Sequence, residues 1–293
     1  MKNSLRVCGA LACLVGTSAF SSSDFRSKVI YGDDNRLDLY DVTRQSDLLL
    51  ADSTVALMES RHLVPKGATF DIQAPSFTEY FDVCAEERFA TQPTAAFCSG
   101  SLVGPDLILT AGHCINSGDC ADTRFVFGFG LKNSADLGNS VSSADVYSCQ
   151  SVIVSRETSG ADFAVVKLDR AVVGHRPLEI NRGQKIAPNT EIGVIGHPSG
   201  LPTKVAFGSK VRHGATGYFV ANLDTYGGNS GSAVFNEATG VIEGVLVRGE
   251  EDFVYKNGCR VSNVCESDAC RGEDVTYAQE AASFIPPLQW SIF

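Results

Sequence analysis

The 293-residue chain is predicted to be an all-β protein, a sandwich or barrel of short strands. Three observations predict it. Short runs rich in Val, Ile, Phe and Thr alternate with turn residues over most of the chain after Ala95. Glycine is abundant, at 28 residues, which suits a fold made of many tight turns. Phe97-Cys98-Ser99-Gly100-Ser101-Leu102-Val103, the turn Gly104-Pro105-Asp106 and Leu107-Ile108-Leu109-Thr110-Ala111 together read as a β-hairpin.

In chain order, residues 1–19 have the layout of a secretory signal. Lys2 and Arg6 form its positive end, Val7 to Val15 its apolar segment and Thr17-Ser18-Ala19 its cleavage site. The apolar run is too short to span a bilayer, so the expectation is a secreted or periplasmic protein without a membrane anchor. Residues 20–28 read as a pro-segment, and 29–293 as the mature chain. In 29–36 the apolar Val29-Ile30 runs into Asp33-Asp34-Asn35, which read as a solvated turn. A short helix is expected over 44–52, a strand over Thr54 to Met58, and irregular structure from Pro65 to Pro93. After the hairpin, strands are expected at 125–129, 146–155, 163–168, 191–196, 204–212, 218–223, 232–235 and 241–248. The tail from Thr276 to Phe284 reads as a short C-terminal helix stopped by Pro286-Pro287.

The net charge of −10 gives no reason to expect nucleic acid or an anionic membrane surface as partner. Past the signal, the cysteines are Cys84, Cys98, Cys114, Cys120, Cys149, Cys259, Cys265 and Cys270. An even number in an exported chain argues for disulfides, and Cys98 and Cys114 are placed to clip the two ends of the hairpin. Cys259, Cys265 and Cys270 lie close together but lack a CxxC pair or a neighbouring histidine, so no metal is expected there.

Three further stretches carry chemistry. His113 follows a strand directly, in Leu109-Thr110-Ala111-Gly112-His113-Cys114, which puts a base on a rigid support. Asp162 opens the apolar run Asp162-Phe163-Ala164-Val165-Val166, where a carboxylate can be buried beside an imidazole. Ser230 sits among glycines in Asp224-Thr225-Tyr226-Gly227-Gly228-Asn229-Ser230-Gly231-Ser232. There the amides of Gly228 and Ser230 can point at one developing oxyanion. A serine hydroxyl needs a base to take its proton, and the base needs a carboxylate to fix its tautomer. His113, Asp162 and Ser230 supply all three roles.

Those three stretches resemble the signatures of chymotrypsin-fold serine peptidases. Gly227-Gly228-Asn229-Ser230-Gly231-Ser232 and Gly196-His197-Pro198-Ser199-Gly200 are similar to the bacterial glutamyl endopeptidase branch. The likeness covers 95–250, with a patch at 29–36; 40–92 and 256–293 are poorly matched. It implies two six-stranded antiparallel β-barrels with the active site between them. It also implies peptide-bond hydrolysis through an acyl-enzyme, on protein or peptide substrates, by a monomer without cofactor. Asn229 departs from the aspartate that pairs with a freshly cut amine in trypsin-like zymogens. In the glutamyl branch the free N-terminus instead helps recognise an acidic side chain, a role that cleavage after Lys28 gives to Val29. Four residues are candidates for the substrate pocket. Asp224 occupies the position that confers arginine/lysine preference, whereas Thr225 matches a residue that binds an acidic side chain. The branch's pocket histidine appears as Leu246, with Arg248 nearby as a substitute cation. The competing reading of the whole chain is a catalytically silent binding or adhesion protein on the same scaffold.

Overall fold

Alternating apolar residues close into a first barrel in the computed structural model, which describes residues 29–289. The expected signal (1–19) and pro-segment (20–28) lie outside the described residues. The strands of this barrel are β1 (Thr54–Glu59), β2 (Ala96–Gly104), β3 (Leu107–Thr110), β4 (Thr123–Phe127), β5 (Val146–Glu157) and β6 (Asp162–Leu168). They run in the order β5-β6-β3-β2-β1-β4, and β4 returns to β5 through the pair Val126 and Val146. Neighbours are antiparallel throughout.

A second ring follows from β7 (Glu191–Gly196), β8 (Lys204–Gly214), β9 (Tyr218–Ala221), β10 (Ala233–Asn236), β11 (Ile242–Arg248) and β12 (Glu273–Tyr277). Its order is β7-β10-β11-β12-β9-β8, closed by pairing of β7 with β8, while Leu37–Asp38 adds to the edge of β8. The long β8 makes closure possible. Its first part, Lys204 to Lys210, pairs with β7, and its last part, Val211 to Gly214, pairs with β9.

One apolar cluster crosses from barrel to barrel. It joins Leu57, Ile108, Phe125 and Phe163 of the first to Ile195, Val205, Ala233 and Val245 of the second, all buried. Each such side chain contributes on the order of 1.5–3 kcal/mol when fully buried, so this shared cluster resists separation of the barrels. That rigidity matters for whatever residues sit in the seam between them.

The expected strands and the helix over 44–52 (here α1, Gln45–Ala51) are present within a few residues. Three stretches differ. Between Pro65 and Pro93 the chain is ordered, with strands Leu63–Lys66 and Thr69–Ile72 and a helix α2 (Phe77–Phe81). Ser76 and Glu79 form a capping box at the start of α2, which satisfies amides that a short helix leaves open. The turn at 33–35 is not simply solvated. Asp34 pairs with Arg36 at 2.8 Å, and Asn35 donates to the Phe207 carbonyl at 2.7 Å. In the tail, Thr276 and Tyr277 finish β12, and helical character begins only at Ala278 as two 3-10 turns, Ala278–Glu280 and Ala282–Phe284.

Four disulfides link Cys84–Cys259, Cys98–Cys114, Cys120–Cys149 and Cys265–Cys270. Cys98–Cys114 clips the hairpin as expected, and the 259–270 cysteines divide between two separate bridges. Among the described residues, no helix is long and apolar enough to cross a membrane.

Candidate active site

His113 stands on the 3-10 turn Gly112–Cys114 that follows β3. Glycine is required just before it, because a Cβ on Gly112 would lie 2.0 Å from the Arg156 carbonyl oxygen on the neighbouring β5. Asp162 opens β6, opposite Glu157 of β5, and is completely buried. Its Oδ1 accepts the Gly112 and His113 amides at 2.7 and 3.1 Å, and its Oδ2 lies 2.8 Å from His113 Nδ1. The Asp162 N–H is itself held by Thr276 Oγ1 of β12 at 3.0 Å, so both barrels fix this carboxylate. A buried acceptor at that distance holds the proton on Nδ1 and leaves Nε2 to accept.

Ser230 lies in the turn between β9 and β10. Gly228 and Gly231 on either side of it have φ of +88° and +89°, values that side-chain-bearing residues resist. The Ser230 carbonyl accepts the Ser99 amide at 2.8 Å, and the Gly228 carbonyl accepts Ser99 Oγ at 2.8 Å. These bonds fasten the serine turn to β2 of the other barrel. The Gly227 carbonyl takes the Ser199 amide, so the trans peptide turns the Gly228 N–H to the opposite edge. Asn229 is buried and accepts from Ser232 Oγ at 3.1 Å. His113, Cys114, Gly228 and Ser230 line one cleft of about 1210 Å³.

Cys98, His113 and Cys114 have sulfur and nitrogen atoms close enough to suggest a metal site. The two sulfurs are bonded to each other, however, and a disulfide offers no thiolate to a cation.

The substrate-pocket residues divide. Val29 and Thr225 meet: Val29 is buried, and its carbonyl accepts the Thr225 amide at 3.3 Å. Thr225 Oγ1 donates to the buried Glu273 at 3.0 Å. Asp224 is read from the sequence either as a carboxylate at the pocket base or as a turn residue pointing away from it. Its side chain turns to the N-terminal segment, where it accepts the amides of Tyr31 and Asn35 at 2.7 and 3.0 Å. Burial pushes its carboxyl up to about 6, against those two amide bonds and Arg36, which lower it. Arg248 has a carboxylate partner of its own. Its Nε donates to the buried Asp274 at 2.9 Å, a carboxylate that also pairs with Arg271, so this cation is engaged within β11 and β12. Leu246 is core of the second barrel. His213 is exposed. His197 is buried, stacks on Phe129 and is held by the Leu201 carbonyl at 3.0 Å; burial pushes its pKa down to about 3.

Sequence reasoning missed Glu273 and Asp274, which look like loop residues in Arg271-Gly272-Glu273-Asp274. Thr225 and Arg248, which they hold, lie 48 and 26 positions earlier, and only Arg271, paired with Asp274, is a local partner. It also missed Tyr80, Phe81, Phe253 and Tyr255 on the cleft wall.

The chain is similar to known peptidases over part or most of its length. A trypsin-like peptidase domain family matches residues 98–245, just over half of the chain. A glutamyl endopeptidase of Bacillus licheniformis is 29% identical over 157 residues, 48% of this chain. The match spans only 46% of that protein's own length. An extracellular metalloprotease of Bacillus subtilis is 22% identical over 248 residues, covering 81% of this chain and 73% of the relative. A solved Glu endopeptidase structure in complex with MPD aligns with 88% of this chain and 97% of its own at 20% identity, with a TM-score of 0.48. With residues 98–245 matched, the chain belongs to the trypsin-like peptidase domain family.

Proposed function

We propose that this chain is an exported serine endopeptidase that cuts peptide bonds through an acyl-enzyme, with 29–293 as its peptidase domain. The observation that carries the reading is the 2.8 Å contact of His113 Nδ1 with the buried Asp162, in a cleft that Ser230 also lines. Ser230 Oγ attacks the scissile carbonyl while His113 Nε2 takes its proton. The Gly228 and Ser230 amides stabilise the oxyanion, and His113 then protonates the departing amine. Water repeats the sequence on the ester and releases the second product. Asp162 holds the imidazole in the required tautomer and stabilises it when charged. The sequence features of a signal at 1–19 and the four disulfides support export.

Processing after Lys28 would create an ammonium at Val29, next to Thr225 and hence near Glu273. Glu273 is the carboxylate that such an ammonium would pair with, and Arg248 is held by Asp274, so the residue preferred before the cut is left to experiment. The test is a panel of matched peptides differing only in that residue, Arg, Lys, Glu, Asp, Phe or Ala, with Ser230→Ala as blank. Hydrolysis of at least one peptide, abolished by Ser230→Ala, is the expected result. No hydrolysis of any peptide by correctly folded protein would favour a silent binding protein. Undiminished hydrolysis by Ser230→Ala would remove the serine from the mechanism.

A further inference from the structure

Two stretches outside the family match meet over the cleft. Cys84–Cys259 joins them, with Cα atoms 5.1 Å apart. Around this bridge the Cys84 amide donates to the Arg260 carbonyl and the Arg260 amide to the Asp82 carbonyl, both at 2.8 Å. Beneath it lies an aromatic cluster. The Phe253 ring is 5.8 Å from Phe77, 5.9 Å from Phe81 and 4.7 Å from Tyr226. Residues 76–84 and 252–260 therefore form one stapled lobe, seated on Tyr226 four residues before Ser230.

The lobe's outer side presents rings to solvent. Tyr80 is 66% exposed, Tyr255 67%, and Phe97 of β2, on the same cleft, 37%. Single exposed apolar residues are ordinary, but three exposed aromatic rings lining one cleft have the composition of a binding surface. Tyrosine is suited to the task, since it offers large contact area with few rotors. The cleft exceeds the roughly 300–1,000 Å³ typical of small-molecule sites, which fits an extended polypeptide. Its rim carries Glu59, Glu157, Glu251 and Asp252 beside Arg61 and Arg260; Glu59 and Arg61 pair with each other at 2.6 Å, and Asp252 accepts the Gly227 amide at 2.9 Å, which leaves the rim net acidic.

We propose that this lobe is a second recognition subsite for the polypeptide being cut. It takes an aromatic or large aliphatic side chain near the scissile bond and favours a basic residue beside it. The proposal rests on the peptidase reading above, and it concerns positions other than the one examined by the panel. The side chain docks against Tyr80, Tyr255 and Phe97, in continuity with Ser230, while the acidic rim attracts the neighbouring cation.

The experiment has two arms. Peptide libraries varied at each position around the cut are hydrolysed by the wild type, by Tyr80→Ala and Tyr255→Ala, and by the Phe variants of both. A preference for Phe, Tyr or Leu at one position is expected, and the Ala variants should reduce it about tenfold through KM, an effect the size of one lost aromatic contact. The Phe variants should keep it. The rate of Ser230 labelling by a small fluorophosphonate, which does not reach the lobe, should stay within about twofold in every variant that folds. The second arm uses Ser230→Ala, so that it does not depend on catalysis. An uncut peptide carrying the preferred side chain should bind about tenfold more tightly than its alanine analogue, and added salt should weaken the basic version further. Equal affinities, or a preference unchanged in both Ala variants, overturn the subsite. Failure of labelling with the peptide affinities intact would overturn the catalytic reading instead.

Discussion

Replacing Asp162 by Asn removes one proton-accepting oxygen and almost nothing else. Oδ1 accepts two backbone amides, at 2.7 and 3.1 Å, while Oδ2 faces His113 Nδ1 at 2.8 Å. The amides demand an acceptor, so the new side-chain carbonyl must take the Oδ1 position and its NH₂ must face the imidazole. Nδ1 then has to accept, which moves the ring proton to Nε2, the atom that should take the serine's proton. The expected loss is about 10⁴-fold in kcat, or about 5.5 kcal/mol at 1.36 kcal/mol per decade. Folding should lose much less. Two charge-assisted bonds become neutral ones, at roughly 1 kcal/mol each. The assay is kcat and kcat/KM on the best peptide of the panel, with urea unfolding as the control for fold. Activity within about tenfold of wild type in a folded Asp162→Asn protein would refute the tautomer argument.

Other consequences are open to test. Gly231→Ala should destabilise the fold by roughly 2 kcal/mol or more and disable hydrolysis. At φ +89° its Cβ would lie 2.0 Å from the Ser99 carbonyl, so the Ser230 turn must move; an unchanged urea midpoint would count against this. His197 should make the fold acid-sensitive. Its pKa is about 3 folded against the ordinary 6.5, so unfolding takes up a proton, and the stability present above 6.5 drains away as pH falls toward 3. His197→Asn should flatten that decline between about pH 7 and pH 4.5, and parallel declines would exclude His197 as its source. Among the disulfides, Cys84–Cys259 closes a separation of 175 residues and Cys265–Cys270 one of 5. Loop entropy assigns them roughly 4–5 and 2 kcal/mol, allowing for two bridges nested in the longer loop. Paired Ser variants should lower the unfolding midpoint in that order, and the reverse order would contradict the entropic account.

Much of this architecture was legible because strands declare themselves by period. Leu107-Ile108-Leu109-Thr110 and residues 204–212 read as strands with no partner in view. The pairing of His113 with Asp162, in a cleft that Ser230 also lines, was legible for a related reason, since each of the three stands at a strand end or turn where glycine or a charge interrupts apolar alternation. Asp224 shows where such reading stops. Whether its carboxylate enters a pocket depends on rotation at a strand exit, and that is decided by the amides of Tyr31 and Asn35, which lie about 190 positions earlier. Arg248 is similar, because its partner Asp274 sits on β12, a strand hidden by charged residues that are buried in pairs. The helix at Phe77–Phe81 is a different matter. Ser76-Phe77-Thr78-Glu79 carries the capping-box pattern in plain sight, but the surrounding prolines obscured it.

The most direct test of the central claim is labelling with a fluorophosphonate, followed by mapping of the modified residue. The account predicts one adduct per molecule, on Ser230, formed with loss of peptide hydrolysis, abolished by Ser230→Ala and strongly slowed by His113→Ala. Peptide hydrolysis that persists without any adduct on Ser230, and that a chelator abolishes, would contradict it.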